Sequence, residues 1–326
     1  MELNFPNPVI LPHDYFDREN ELRTGWHALA RPDPIIPLFL GERKIGKTST
    51  LNVFTTRYRD RARFLSLPFA FTVDDWLREM ADGLLDLLFD PTVPETYPST
   101  ETVDLSTVQT WARRLVERER VPVVFYVDEI DSLFTMYDEK EGERLIDLLL
   151  TLLPDPHIRF LFSATRTVET LPPGRREIFQ NHVHPIPLRP WPEPTTREFI
   201  QWLVGPTYTF TDDALALLYQ AGGGHPYFTK AILHNLLQGS ESMLEETTIT
   251  AALVQRAMDR LPEMSEVAHM VHNLLEVHFS EEERDILKAS ARGRPVTGPA
   301  AARLAERGYL HEGTFTLRVG VLRHWL

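Results

Sequence analysis

Gly41-Glu42-Arg43-Lys44-Ile45-Gly46-Lys47-Thr48 decides the reading of this chain. The octapeptide fits G-x-x-x-x-G-K-[ST], a loop that cradles phosphate groups. Its flanks are those the pattern requires. Pro34-Ile35-Ile36-Pro37-Leu38-Phe39-Leu40 is apolar and reads as a buried strand, and Thr48 to Tyr58 reads as a helix. Gly41 and Gly46 permit backbone conformations that a β-carbon hinders, so successive N–H groups can turn inward on an anion. The following helix adds the positive end of its dipole. Lys47 is the point charge for the β- and γ-phosphates, and the Thr48 hydroxyl is a candidate Mg²⁺ ligand. The candidate binding set is therefore Gly41, Glu42, Arg43, Lys44, Ile45, Gly46, Lys47, Thr48 and Ser49. Its ligands are a nucleoside triphosphate and Mg²⁺.

A second motif lies downstream, Val123-Val124-Phe125-Tyr126-Val127-Asp128-Glu129. Five apolar or aromatic residues in a row read as a central parallel strand covered on both faces. The two carboxylates fall at its C-terminal end, where ligands of open α/β sheets bind. Asp128 is the candidate to hold Mg²⁺ through water, and Glu129 the candidate to polarise an attacking water. Alternate strand residues point opposite ways, so an adjacent pair can serve two targets. The same pair also suits the N-cap of a helix beginning at Ile130, and Asp131 reads as a cap or supporting residue. A third strand, Ile158 to Arg166, ends in polar residues at the same edge. There Ser163 or Thr165 could reach a γ-phosphate or a water, and Arg166 could sense phosphate.

Composition narrows the classes. The 326 residues support two or three compact units, and 43% hydrophobic with 25% charged residues is ordinary for a globular chain. A net charge of −13 confines any nucleic-acid contact to a local basic patch. The absence of Cys excludes disulfides, thiolate metal sites and cysteine nucleophiles. No apolar run approaches the ~20 residues of a membrane span. Met1 to Asn7 shows no signal-peptide pattern, so a cytoplasmic location is the simplest expectation.

Along the chain, a helix opens near Tyr15 and runs to about Ala30. A strand at 64–67, a helix at 73–89, a loop at 90–104 and a helix from about Val108 to Arg118 follow. Glu143 to Leu153 reads as another helix, and Val183 to Leu188 as a last strand. This alternation implies a P-loop parallel sheet with helices on both faces. After Pro190-Trp191-Pro192-Glu193-Pro194 helices dominate, at about 195–204, 211–220, 226–237 and 248–261. Between them Gly222-Gly223-Gly224-His225-Pro226 ends one helix and starts the next. The final stretch predicts helices at 266–278 and 280–290, then a third, capped by Thr297, to about Arg307. A β-hairpin over 308–319 completes a winged-helix pattern. The expected domains are a core at 1–190, a helical lid at 191–264 and a winged helix at 265–326. From Lys288 to Leu326 seven basic residues (Lys288, Arg292, Arg294, Arg303, Arg307, Arg318 and Arg323) stand against two acids, Glu306 and Glu312. Such an excess suits a DNA-binding face, although a winged helix also serves to dock protein. The segment 298–304 offers few side chains for reading bases.

Taken together, these motifs resemble the AAA+/STAND group of P-loop ATPases, in particular its prokaryotic archaeal-type branch. Phe16-Asp17-Arg18-Glu19-Asn20-Glu21-Leu22 is similar to the group's F-x-G-R-E-x-E-L box, with Asp17 where Gly is usual. The phosphate loop, Val127-Asp128-Glu129 and Gly223-Gly224-His225-Pro226 carry the rest of the likeness. The resemblance implies ATP as the nucleotide, Arg18 and Glu19 bordering it, and Pro226 against its base or sugar. It also implies an arginine acting on the γ-phosphoryl group of a neighbouring subunit, for which Arg175 and Arg176 are the candidates. Two functions are expected to compete. One is an ATP-hydrolysing switch or assembly factor that self-associates or works on an effector in trans. The other is a DNA-associated ATPase loading on duplex DNA through its winged helix.

Overall fold

The computed structural model describes residues 12–33, 35–89, 103–165, 180–238 and 248–326. By their contacts these fall into two compact units. A sheet unit comprises the described residues of Val9–Gly41 and Lys47–Leu188. A helical unit comprises Glu42–Gly46 and the described residues of Arg189–Leu326.

The sheet unit is an α/β layer built on five parallel strands. They are β1 (Ile36–Leu40), β2 (Arg63–Ser66), β3 (Val123–Val127), β4 (Ile158–Ala164) and β5 (Val183–Pro187), in the order β2-β3-β4-β1-β5. β1, whose C-terminal end leads into the phosphate loop, lies between β4 and β5. β3, which leads into Asp128, pairs with β4 from Val123–Ile158 to Val127–Phe162. The two motif-bearing strands therefore flank β4 and end at the same edge.

Helices α1 (Glu19–Leu29), α2 (Lys47–Arg57), α3 (Val73–Leu88), α4 (Leu105–Glu119), α5 (Ile130–Met136) and α6 (Glu139–Leu152) clothe this sheet. On one face Leu38, Phe125, Phe160 and Phe162 pack with Trp76 and Met80 of α3, Leu115 of α4 and Leu149 of α6. The other face carries Phe39, edge-on to Phe54 of α2 at 5.7 Å. There α1 closes in through Gly25, where a Cβ would stand 3.0 Å from both the Phe39 and Phe54 rings. Two helices begin earlier than their apolar periodicity predicts. Asp104 accepts from Thr107 N at 2.8 Å and starts α4 at Leu105, ahead of the expected Val108. Asp138 accepts from Glu141 N at 2.8 Å and starts α6 before Glu143. In both cases a capping carboxylate satisfies an orphan N–H and adds a turn.

The helical unit contains α7 (Glu193–Val204), α8 (Asp212–Gly222), α9 (Pro226–Gln238), α10 (Ala251–Asp259), α11 (Ser265–Val277), α12 (Glu281–Ala291) and α13 (Pro299–Glu306). One apolar core runs through all seven helices, from Ile200 through Phe228, Val254, Leu274 and Leu287 to Leu304 and Leu322. Three details differ from expectation. Thr248-Ile249 (β7) is not helical but pairs in parallel with Thr209-Phe210 (β6). The N-cap of α13 is Gly298 at φ 100°, not Thr297. Over 308–319 the chain reverses as a hairpin does, but the ladder reduces to one bridge, Leu310 with Leu317. Gly313 (φ 79°) and Phe315 (φ 51°) form the turn. Beyond Leu317 the Arg318 side chain donates to Gly223 O and Trp191 O, at 2.9 and 3.3 Å, and Val319 enters the core.

The glycine turn between α8 and α9 is demanded by packing. Gly223 and Gly224 have φ of 62° and 74°, and a Cβ on Gly224 would lie 1.9 Å from Trp191 O. Trp191 N donates to Gly224 O at 2.9 Å, so the Pro-rich segment and this turn are stitched backbone to backbone.

Candidate functional site

At the C-terminal ends of β1, β3 and β4 the sheet unit gathers the residues its two motifs single out. Lys47, the first residue of α2, is buried, and its Nζ donates to Gly41 O at 2.9 Å and to Thr165 Oγ1 at 3.0 Å. Thr48 Oγ1 donates to Asp128 Oδ2 at 2.6 Å. Ser163 Oγ donates to the other carboxylate oxygen, Asp128 Oδ1, and accepts from Glu129 N at 3.0 Å. Asp131 Oδ2 accepts from Thr165 N at 3.0 Å. A continuous net thus runs from the lysine through the end of β4 to the acidic pair. Ser163 and Thr165, read as possible phosphate or water contacts, here orient Asp128 and Lys47. Asp131 supports the end of β4, and its sequence signal was only its place in the first turn of α5.

Glu129 sits at φ 55° in the left-handed region and precedes α5, but its side chain does not cap that helix. A non-glycine residue in this region costs about 1–2 kcal/mol. The carboxylate is solvent-exposed and not used as a cap.

The donors suit Mg²⁺. Thr48 and Asp128 bring a hydroxyl and one carboxylate together, hard oxygens of the kind the ion takes when phosphates complete its shell. Among the described residues no cluster of three or more His, Cys, Asp or Glu forms an all-protein metal cage.

Arg18 is buried in the sheet unit, with φ 69°, and donates to Glu21 Oε1 at 3.1 Å. Asp17 has φ 59°, a conformation that aspartate tolerates better than most residues. Glu19 accepts from Arg57 Nη1 at 2.6 Å. Ser49 lies in the first turn of α2. Pro226 opens α9 in the helical unit. Arg166, Arg175 and Arg176 lie outside the described residues.

Inside the helical unit, Glu42–Gly46 forms the middle of the phosphate loop. Ile45 N donates to Glu42 O at 3.2 Å, and Lys44 (φ 63°) and Gly46 (φ 110°) are left-handed. Glu42 is buried and accepts from Arg307 Nε at 2.6 Å, Arg307 Nη2 at 3.1 Å and Tyr309 Oη at 3.0 Å. Arg43 Nη1 bonds His278 Nε2 at 3.1 Å. Arg307 also donates through Nη1 to Glu283 Oε1 at 2.8 Å. Burial opposes the Arg307 charge, but the bond and charge of Glu42 outweigh it and hold the guanidinium above its usual range. Burial, reinforced by the Glu42 charge, drives the Tyr309 hydroxyl well above its ordinary value. Sequence reading missed these partners, because Arg307 read as one of a row of surface cations.

Solved structures resemble the chain over nearly its whole length. The Walker-type ATPase PABY2304 of Pyrococcus abyssi is 17% identical with a TM-score of 0.66, covering 98% of this chain and 92% of that one. The fold is that of the AAA+ ATPases. The Thermotoga maritima RuvB Holliday junction branch migration motor matches at 16% identity and TM-score 0.51, covering 97% and 90%. Orc1 of Aeropyrum pernix, solved in complex with DNA, matches at 17% and 0.51, covering 92% and 79%. No family model and no curated protein matches the sequence. In this AAA+ fold the five-stranded parallel sheet is followed by a helical C-terminal region, as the expected α/β class requires. No described helix is long and apolar enough to cross a membrane.

Proposed function

We propose that this protein binds and hydrolyses Mg-ATP and acts as a nucleotide-controlled switch or assembly factor, in the manner of STAND ATPases. The observation that carries the proposal is the convergence of Lys47, Thr48, Asp128 and Glu129 at one edge of the sheet, through the net of Ser163 and Thr165. Lys47 and the loop N–H groups would bind the phosphates. Thr48 and Asp128 would hold Mg²⁺, which neutralises phosphate charge when bound. Glu129 would orient and deprotonate the attacking water. Arg18 and Pro226 are proposed nucleotide neighbours, Arg166 a proposed phosphate sensor, and Arg175 or Arg176 the proposed arginine acting on the γ-phosphoryl group of a neighbouring subunit. We keep the three-part division at 190 and 264, and a cytoplasmic location, as part of this proposal. Steady-state ATP hydrolysis by the purified protein tests it. Mg-dependent turnover that Lys47→Ala removes is expected, and turnover indifferent to that change would refute it.

Loading on duplex DNA is the second reading. Its support is the likeness in fold to Orc1, solved in complex with DNA, and to RuvB, a Holliday junction branch migration motor. The basic excess that suggested it is smaller than the sequence count. Arg307 is engaged by Glu42 and Glu283, and Arg318 by backbone carbonyls. Arg292, Arg294 and Arg323 remain exposed. Salt-sensitive stimulation of hydrolysis by duplex DNA would favour this reading.

A further inference from the structure

Glu42 is a carboxylate inside a loop whose chemistry is to receive a polyanion. An unpaired carboxylate there would repel phosphate, and a buried one would be costly by itself. Both of its oxygens are engaged instead, one by Arg307 Nε and the other by Arg307 Nη2 and the Tyr309 hydroxyl. The paired geometry is the strong, directional form of arginine–carboxylate contact. Arg307 is itself held from every side. Its Nη1 donates to Glu283, its Nη2 donates to His278 O at 3.2 Å, and its Cζ lies 4.6 Å from the Phe279 ring centre and 5.6 Å from that of Tyr309. Glu283 is fixed in turn, since it forms a capping box with Ser280 at the start of α12. The next loop residue, Arg43, bonds His278.

Two consecutive loop residues are thus anchored to one short set of positions, 278–283 and 307–309. Just beyond them Lys44 takes a left-handed conformation that a side chain disfavours. Such backbone persists where its surroundings over-determine it.

We infer that Arg307 and Tyr309 are positioning residues for the phosphate loop: by clamping Glu42 they neutralise its charge and set the loop conformation that takes the nucleotide. This rests on the proposed nucleotide binding. Arg307 is one positive charge shared by two carboxylates, and only one of these belongs to the loop. Losing Arg307 takes the guanidinium away from both Glu42 oxygens, whereas losing the charge of Glu283 leaves the Glu42 clamp in place. Linkage makes the effect reciprocal, so nucleotide tightens the 307–309 segment as that segment tightens nucleotide.

The test is equilibrium titration of the full chain with a fluorescent ATP analogue and Mg²⁺, with a thermal melt of every variant. Arg307→Gln is expected to weaken binding about tenfold and Tyr309→Phe about threefold, within the range for groups in one network. Glu283→Gln is expected to lower the melting temperature and leave affinity unchanged. The double variant Glu42→Gln/Arg307→Gln is expected to bind more tightly than Arg307→Gln alone, because the loop then carries no carboxylate charge to oppose the phosphates. If Arg307→Gln fails to fold, Tyr309→Phe, which removes a single hydroxyl, decides. Affinity unchanged in Tyr309→Phe and in any folded Arg307→Gln, with stability lowered as in Glu283→Gln, would overturn the inference and leave a purely structural ion pair. If the unsubstituted protein does not bind the analogue, or if Lys47→Ala binds it equally well, nucleotide binding at this loop is itself wrong, and the inference falls with it.

Discussion

Two of the motif carboxylates, Asp128 and Glu42, are treated oppositely by the molecule. Asp128 is exposed and held by two hydroxyls, Thr48 and Ser163. Glu42 is buried and held by a guanidinium and a phenol. Neutral hydroxyl partners can be exchanged for a cation at little cost, because the carboxylate keeps its charge and its access to water. A buried ion pair cannot be exchanged so easily, because removing one member strands the other in a low-dielectric surrounding. The difference separates a carboxylate suited to a metal from one suited to holding a loop in shape.

Stability should show the contrast most strongly. Glu42→Ala strips one of two acidic partners from Arg307, and is expected to lower unfolding free energy by about 3 kcal/mol, the low end for a broken buried pair. Asp128→Ala should leave the denaturant midpoint almost unmoved. Equal losses in chemical denaturation would break the comparison. Lys47→Ala comes next and should weaken ATP at least about 100-fold, since the ammonium is the one side-chain charge the motif supplies to the phosphates. A titration giving unaltered affinity would remove the loop from nucleotide binding. Glu129→Gln should bind ATP normally and hydrolyse it about 100-fold more slowly, a typical loss for a positioned base. Single-turnover hydrolysis at the rate of the unsubstituted protein would leave Glu129 as a strained strand end only. Asp128→Asn sharpens the metal side. The Mg²⁺ concentration for half-maximal hydrolysis should rise about tenfold, as for loss of one charged ligand or its support, and an unshifted Mg²⁺ curve would move the ion elsewhere. The smallest effect concerns DNA. With Arg307 and Arg318 engaged internally, duplex DNA should change hydrolysis by less than about twofold at either low or high salt. Stimulation abolished by Arg292→Gln with Arg294→Gln would reverse that expectation.

Legibility in the sequence followed the range of the interaction. The strands β1, β3 and β4 were readable because each is a short apolar run bounded by polar or glycine residues. Helix starts were read late at Leu105 and Glu139, because their first turns are polar and the deciding caps, Asp104 and Asp138, lie outside the apolar period. The hairpin at 308–319 was overextended, because alternation does not reveal that Arg318 is drawn to Gly223 and Trp191. Lys47, Thr48, Asp128 and Glu129 were singled out because motif spacing is local, and the fold brings them to one edge of the sheet. Ser163, Thr165 and Asp131 were noticed, but their targets were not, since each bond joins residues from different strand ends.

By itself, then, the sequence determined the glycine-bounded loop after β1, the acidic end of β3 and the α/β layering. Glycine placement, apolar runs and adjacent charges act through the backbone within a few residues. Only the tertiary structure paired Glu42 with Arg307. They lie 265 positions apart, and before folding Arg307 is one basic residue among several. A charge has no direction along a chain; burial beside a single partner gives it one.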